Sequence, residues 1–221
     1  MTRPRRYDLI AFDWDGTLFD STALIARCIQ DACRDVGVPV PSAADAAYVI
    51  GLGLNDALRH AAPSLAPERY PELGARYRHH YIARQDDLVL FDGTLAMLQD
   101  LKARNHWLAV ATGKSRRGLD HVLQQSGLGP VFDATRTADE TASKPSPVML
   151  HELMRTFGVE PERTLMIGDT THDLQMAQNA GCASLGVSYG AHPAEALTAA
   201  LAPRFLAHSV AELQAWLAEH A

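Results

Sequence analysis

Short unbroken apolar runs recur along the chain, separated by stretches in which apolar residues return every three or four positions. The runs are YDLIAF near the start, WLAVA at 107–111, TLMIG at 164–168, CASLGV at 182–187 and a weaker RFLA at 204–207. Runs of this length without alternation suit strands buried on both faces of a parallel sheet. The stretches between them read as amphipathic helices. TLAMLQDLKARN places Leu95, Leu98 and Leu101 on one face, and SRRGLDHVLQQSG aligns Leu119, Val122 and Leu123 before Gly127. SPVMLHELMRTFG does the same with Met149, Leu150, Leu153 and Phe157 before Gly158, and THDLQMAQNAG stops at Gly181. Glycine directly behind the last apolar position is the usual left-handed helix stop. Ser209 and Glu212 have the spacing of a capping box for a final helix. Strand and helix in alternation predict a doubly wound, Rossmann-like α/β sheet.

One block breaks the alternation. Between Phe19 and Leu88 the pattern is helical throughout: STALIARCIQDACRDVG, NDALRHAA and PERYPELGARYRHHYIARQ, punctuated by Pro39, Pro41, Pro63 and Pro67. The expected organisation is a catalytic core of residues 1–18 and 89–221 carrying an all-α cap at 19–88. Such an insertion leaves the carboxyl end of the first strand, the edge at which open α/β sheets bind ligands. The linkers near Leu18–Asp20 and Asp87–Asp92 are the expected hinges.

Composition narrows the function classes. The chain has 221 residues, 47% hydrophobic and 21% charged, with a formal net charge of −6. These values suit a soluble globular protein and give no cationic footprint for nucleic acid or an anionic membrane. Cys28, Cys33 and Cys182 have no ligand or redox spacing and read as small buried hydrophobes. The arginines Arg3, Arg5 and Arg6 precede an apolar run that Asp13 ends too early for an export signal, so the expected location is cytoplasmic.

The strand ends carry the candidate chemistry. Asp13 and Asp15 follow the first run, Thr112 and Gly113 follow the second, and Asp169 follows TLMIG with Asp173 one helical turn on. Lys144 precedes Pro145 at a helix entrance. In a parallel sheet these points converge on one edge. Clustered carboxylates repel unless a cation neutralises them, and an oxygen-only donor set suits Mg²⁺. Such a site accepts a phosphate: Lys144 offers a fixed charge, while the Thr112 hydroxyl and nearby backbone N–H groups offer hydrogen bonds. One carboxylate can then take the phosphoryl group and pass it to water, while the second handles the proton.

In this order the motifs DWDGT, ATG, SKP and GDTTHD resemble those of the haloacid dehalogenase (HAD) superfamily of phosphohydrolases, and the helical block resembles its C1-type cap (subfamily IA). The resemblance covers nearly the whole chain and is strongest to the phosphoglycolate phosphatase-like group, which also holds sugar phosphatases, nucleotidases and phosphomutases. It implies that Asp13 is the nucleophile and Asp15 the general acid/base. It further implies that Thr112, Gly113 and Lys144 bind the phosphoryl group. Mg²⁺ would be held by Asp13, Asp169 and the backbone carbonyl of Asp15, with Asp173 supporting. Members that cleave carbon–halogen bonds lack the second aspartate, so Asp15 points to phosphate. Phosphonate-cleaving relatives use a cap lysine, and residues 19–88 contain none.

Asn55 and Arg59 in IGLGLNDALRH, and Lys114 after the second strand, are candidates for substrate specificity. Trp14 is expected to point away from its flanking aspartates and pack in the core or against the cap, and His172 to lie exposed at a helix start. The expected partner is a small phosphorylated metabolite, and the expected state is a monomer or weak homodimer. A phospho-accepting signalling receiver would share the acids, Thr, Lys and Mg²⁺ but keeps its acceptor after a middle strand. A silent binding protein on the same fold is the other alternative, although no motif residue is missing.

Overall fold

The computed structural model describes residues 6–199 and 201–221; Arg3 and Arg5 of the leading basic segment lie outside them. The chain opens with β1 (Leu9–Phe12) and then makes α1 (Thr22–Val36), α2 (Ala43–Tyr48), α3 (Leu54–Ala61), α4 (Tyr70–Ile82) and α5 (Thr94–Ala103). It continues through β2 (Trp107–Thr112), α6 (Arg116–Ser126), β3 (Ala134–Thr137), α7 (Val148–Phe157), β4 (Thr164–Gly168) and α8 (Thr171–Asn179). The last elements are β5 (Ala183–Val187), α9 (Ala194–Ala199), β6 (Leu206–Ala207) and α10 (Val210–His220). Among the described residues the strands form one parallel sheet in the order β3-β2-β1-β4-β5-β6. This is the doubly wound α/β architecture that the alternation predicts.

Side chains alternate across the sheet, so the unbroken apolar run of β1 feeds two cores. Ile10 and Phe12 pack with α5, α6 and α10 through Leu98, Leu119 and Leu213. Leu9 and Ala11 pack with α7 and α8 through Leu150, Leu153 and Met176. The helix stops hold as read: Gly127 and Gly158 are left-handed at φ of 69° and 62°. In α10, Ser209 Oγ accepts the Glu212 N–H, and the Glu212 carboxylate accepts the N–H of His208.

Two expectations need correction. Leu95 is 45% exposed, and Met97 joins Leu98 and Leu101 in the core instead. At about 100° per residue, positions 97, 98 and 101 cluster within one sector and 95 falls outside it. Strand β3 was not predicted because its sequence, ATRT, is polar; it lies at the sheet edge and is half-buried over most of its length. The short helices α2 and α9 were also not predicted from periodicity.

Helices α1 to α4 enclose a separate core that includes Ile25, Cys28, Ile29, Leu58 and Leu73. The chain enters and leaves this helical unit through two adjacent segments. Asp20 N–H donates to the Val89 carbonyl at 3.0 Å and Phe91 N–H to the Leu18 carbonyl at 3.0 Å, with Phe19 and Leu90 paired antiparallel.

The sheet order fixes the location of the site. Phe12, at the end of β1, is in register with Val110 of β2 and Ile167 of β4. The chain runs outward from β1 to β3 and returns to the other side of β1 as β4. That reversal is a topological switch point, where a crevice opens at the carboxyl ends of the strands. Asp13, Thr112 and Asp169 all emerge there.

Candidate active site

Asp13 leaves β1 fully buried, its N–H tied to the Ile167 carbonyl at 2.9 Å. Lys144, also fully buried in its side chain, crosses to it from the loop before α7. Its Nζ lies 2.5 Å from Asp13 Oδ1 and 2.6 Å from Asp173 Oδ1. Asp173 is positioned by a capping box: Thr170 Oγ1 accepts the Asp173 N–H, and Asp173 Oδ2 accepts the Thr170 N–H at 3.1 Å. Asp169 accepts from the Thr17 hydroxyl at 2.8 Å and from the Ala191 N–H at 2.7 Å. The carboxylates of Asp13, Asp169 and Asp173 each offer an oxygen within 4.8 Å of the others. Asp13 Oδ2 is buried with no hydrogen-bond partner.

Gly16, left-handed at φ 83°, lets the chain turn off the strand in contact with Asp169; a Cβ there would sit 2.2 Å from Asp169 Oδ2. The Asp15 carboxylate is held by other partners. Ser21 Oγ donates to its Oδ1 at 2.8 Å, and Lys114 Nζ donates to both of its oxygens at 3.0 and 2.9 Å. The third Lys114 donor goes to the Tyr81 hydroxyl of α4 at 2.9 Å. Trp14 points the other way into the core, stacked on Phe19 with ring centroids 4.9 Å apart.

The electrostatics follow from burial. Burial pushes the Asp13 carboxyl up to about 7; Lys144 opposes the shift, and Asp173 and Asp15 add to it. Asp169 is raised well above its ordinary value by burial and then by Asp13 and Asp173. Burial pushes the Lys144 ammonium down, but Asp13 and Asp173 together raise it further, so it remains charged. The cluster is short of positive charge.

The turn between α2 and α3 is seated directly on this edge. A Cβ added at Gly113 would lie 2.3 Å from the Leu52 carbonyl oxygen and 2.5 Å from that of Gly51. Gly53 N–H donates to Ser143 Oγ, beside Lys144, at 2.8 Å. Gly113→Ala should therefore hold the turn off the sheet edge while the sheet folds normally. The expected result is a loss of about 10²-fold in kcat/KM with unchanged far-UV circular dichroism.

Asn55 and Arg59 do not join this site. Both are exposed, Arg59 lies over the Tyr70 ring at 4.9 Å, and the inner face of α3 belongs to Ala57, Leu58 and Ala61. Lys114 is brought in, as described. His172 is buried, not exposed: its Nε2 bonds the Tyr48 carbonyl at 2.8 Å, and His192 Nε2 bonds the same oxygen at 3.0 Å. Tyr48, at the end of α2, thereby ties the helical unit to both rings. Burial lowers both imidazoles below their ordinary value. Tyr48 and Tyr81 stand in no motif and carry no spacing signal, so the sequence does not mark them.

The doubly wound sheet gathers a buried acid cluster and a lysine at its switch point, and kinship says to which class of protein they belong. The haloacid dehalogenase-like hydrolase family profile matches residues 10–187. The chain is 33% identical over 224 residues to the phosphoglycolate phosphatase of Vibrio vulnificus, covering 93% of each chain. It is 35% identical over 197 residues to a Dickeya dadantii protein named "Probable phosphatase IndB", covering 87% of this chain and 86% of that one. Its fold matches a crystal structure of a predicted phosphoglycolate phosphatase from Haemophilus somnus with a TM-score of 0.81 at 26% identity, over 94% and 96% of the two chains. The chain belongs to the haloacid dehalogenase-like hydrolases and, within them, to the phosphatases. No described helix is long and apolar enough to cross a membrane.

Proposed function

We propose that this phosphatase hydrolyses a small phosphomonoester with Mg²⁺ through an aspartyl-phosphate on Asp13. The observation that carries the reading is the buried, unpartnered Asp13 Oδ2 within a group of three carboxylates that a single lysine does not neutralise. That donor set fits a hard divalent cation. Asp13, Asp169 and the backbone carbonyl of Asp15 would hold it, and Asp173 would support it by fixing Lys144. When bound, the ion supplies positive charge against the phosphoryl oxygens.

The chain's own residues account for the remaining steps. The Asp13 carboxylate attacks phosphorus as the bond to the ester oxygen breaks, and Asp15 delivers a proton to that oxygen. Water then attacks the aspartyl-phosphate and gives a proton back to Asp15, releasing inorganic phosphate and the free carboxylate. Thr112, the Gly113 backbone and Lys144 bind the phosphoryl oxygens. Residues 19–88 form the cap, opening at the paired linkers to admit substrate and closing to exclude water. The relatives named phosphoglycolate phosphatase make 2-phosphoglycolate the reference substrate; sugar phosphates and nucleotides are the alternatives.

With Mg²⁺ the protein should release phosphate from p-nitrophenyl phosphate, and chelation of the metal should abolish release. Beryllium fluoride with Mg²⁺ should inhibit as a mimic of the aspartyl-phosphate. An inactive protein overturns the reading.

A further inference from the structure

Beyond the carboxylates the site opens into a cavity of about 440 Å³ between cap and core. This lies in the size range of pockets that enclose drug-sized molecules. Its cap wall is made by Ile25, Ile29, Ile50, Leu54, Tyr77 and Tyr81. The rings of Tyr77 and Tyr81 pack on each other with centroids 5.9 Å apart and planes within 22°, adding aromatic area to that wall. Arg78, Arg117 and His121 also border the cavity, and all three are exposed to solvent.

The inner chamber therefore has little to offer a second anion. Lys114 is the cation nearest the leaving-group side, and an ammonium has three donors. All three are taken, two by Asp15 and one by Tyr81. A carboxylate placed among the isoleucines would lose its hydration without gaining a partner. 2-Phosphoglycolate has only two carbons beyond its ester oxygen, one of them that carboxylate, and would leave most of the chamber unfilled. An apolar ring would fill the chamber and lie against the tyrosines.

We infer that the preferred substrate is a phosphomonoester whose alcohol carries an uncharged, apolar body about the size of a phenyl ring, and not a second anion next to the ester. The inference rests on the phosphomonoesterase reading above and specifies its leaving group. The cap wall selects the substrate by burying that body, while the reacting residues treat all esters alike.

The test compares kcat/KM, with Mg²⁺, for three esters of primary alcohols: ethyl phosphate, 2-phenylethyl phosphate and 2-phosphoglycolate. Expected is an advantage for the phenylethyl ester on the order of 30-fold over each of the others, from burial of its ring. A value for 2-phosphoglycolate equal to or above that of the phenylethyl ester overturns the inference, as does parity between the two alkyl esters. Leu54→Lys, at a half-buried wall position, should shift the ratio of phenylethyl ester to 2-phosphoglycolate by about tenfold toward the anion; an unmoved ratio also counts against it. p-Nitrophenyl phosphate separates the two failures. If the protein hydrolyses it but prefers 2-phosphoglycolate, only the substrate class falls. If no ester is hydrolysed, the phosphatase reading falls and the inference falls with it.

Discussion

Asp13→Asn should reduce kcat by about 10⁴-fold or more, the scale seen when a covalent nucleophile is removed from an otherwise intact site. An amide has nearly the shape of the carboxylate but cannot form the phosphoenzyme, so substrate binding should survive in the variant. A second readout is independent of turnover. Asp13 is raised from near 3.8 to about 7 in the metal-free protein, so the folded state holds its proton more tightly than the unfolded chain does. The stabilisation this gives is complete below pH 3.8 and is lost as pH rises through about 7. Asp169 is raised in the same direction. Metal-free wild type should therefore lose thermal stability between about pH 4 and pH 7, and Asp13→Asn should lose less over the same interval. Adding Mg²⁺ at pH 8 should raise the wild-type Tm more than that of the variant. Thermal unfolding at several pH values, with and without Mg²⁺, checks both statements. A variant with wild-type turnover, or an identical pH slope, would remove Asp13 from its assigned place.

Lys144→Met should lower unfolding free energy by about 3–5 kcal/mol in metal-free buffer, measured by urea denaturation. The side chain is fully buried between two fully buried carboxylates. Its loss leaves Asp13 and Asp173 facing each other and Asp169 without a cation between them. Methionine fills a similar volume, so the effect reads the charge and not a cavity. Arginine should not rescue it, because a planar guanidinium cannot take the place of a compact ammonium in a fully enclosed slot. The same variant should be catalytically silent with every ester, since it removes the charge proposed to bind the phosphoryl group along with the stability.

The architecture was legible wherever one local signal settled the structure. Unbroken apolar runs required strands buried on two faces, and β1, β2, β4, β5 and β6 lie where those runs lie. Polar β3 carried no such signal, because an edge strand needs little burial. The convergence of Asp13, Thr112, Lys144, Asp169 and Asp173 was readable because each stands at or near a strand end or helix entrance, and a parallel sheet gathers such positions on one edge. The inward surface of the helical unit was not readable in the same way. Asn55 and Arg59 looked suitable by residue type, but which face of α3 turns inward depends on packing against neighbouring helices. Tyr81 and the His172–Tyr48–His192 contact join residues far apart in sequence, and only the docking of helices onto the sheet brings them together.

The paired segments at Leu18–Asp20 and Val89–Phe91 have a consequence for how the molecule is put together. Because Phe91 donates to Leu18, the chain leaves the sheet and returns to it one strand spacing apart. Everything between is joined covalently to the sheet through this one pair of segments and has a core of its own, while Tyr48, Gly53 and Tyr81 rest it on the sheet edge. Such an insert can be exchanged for another whose ends meet at the same spacing without re-registering any strand. The sheet that carries the acids and the helical insert can therefore evolve, or be engineered, as separate cassettes of one gene.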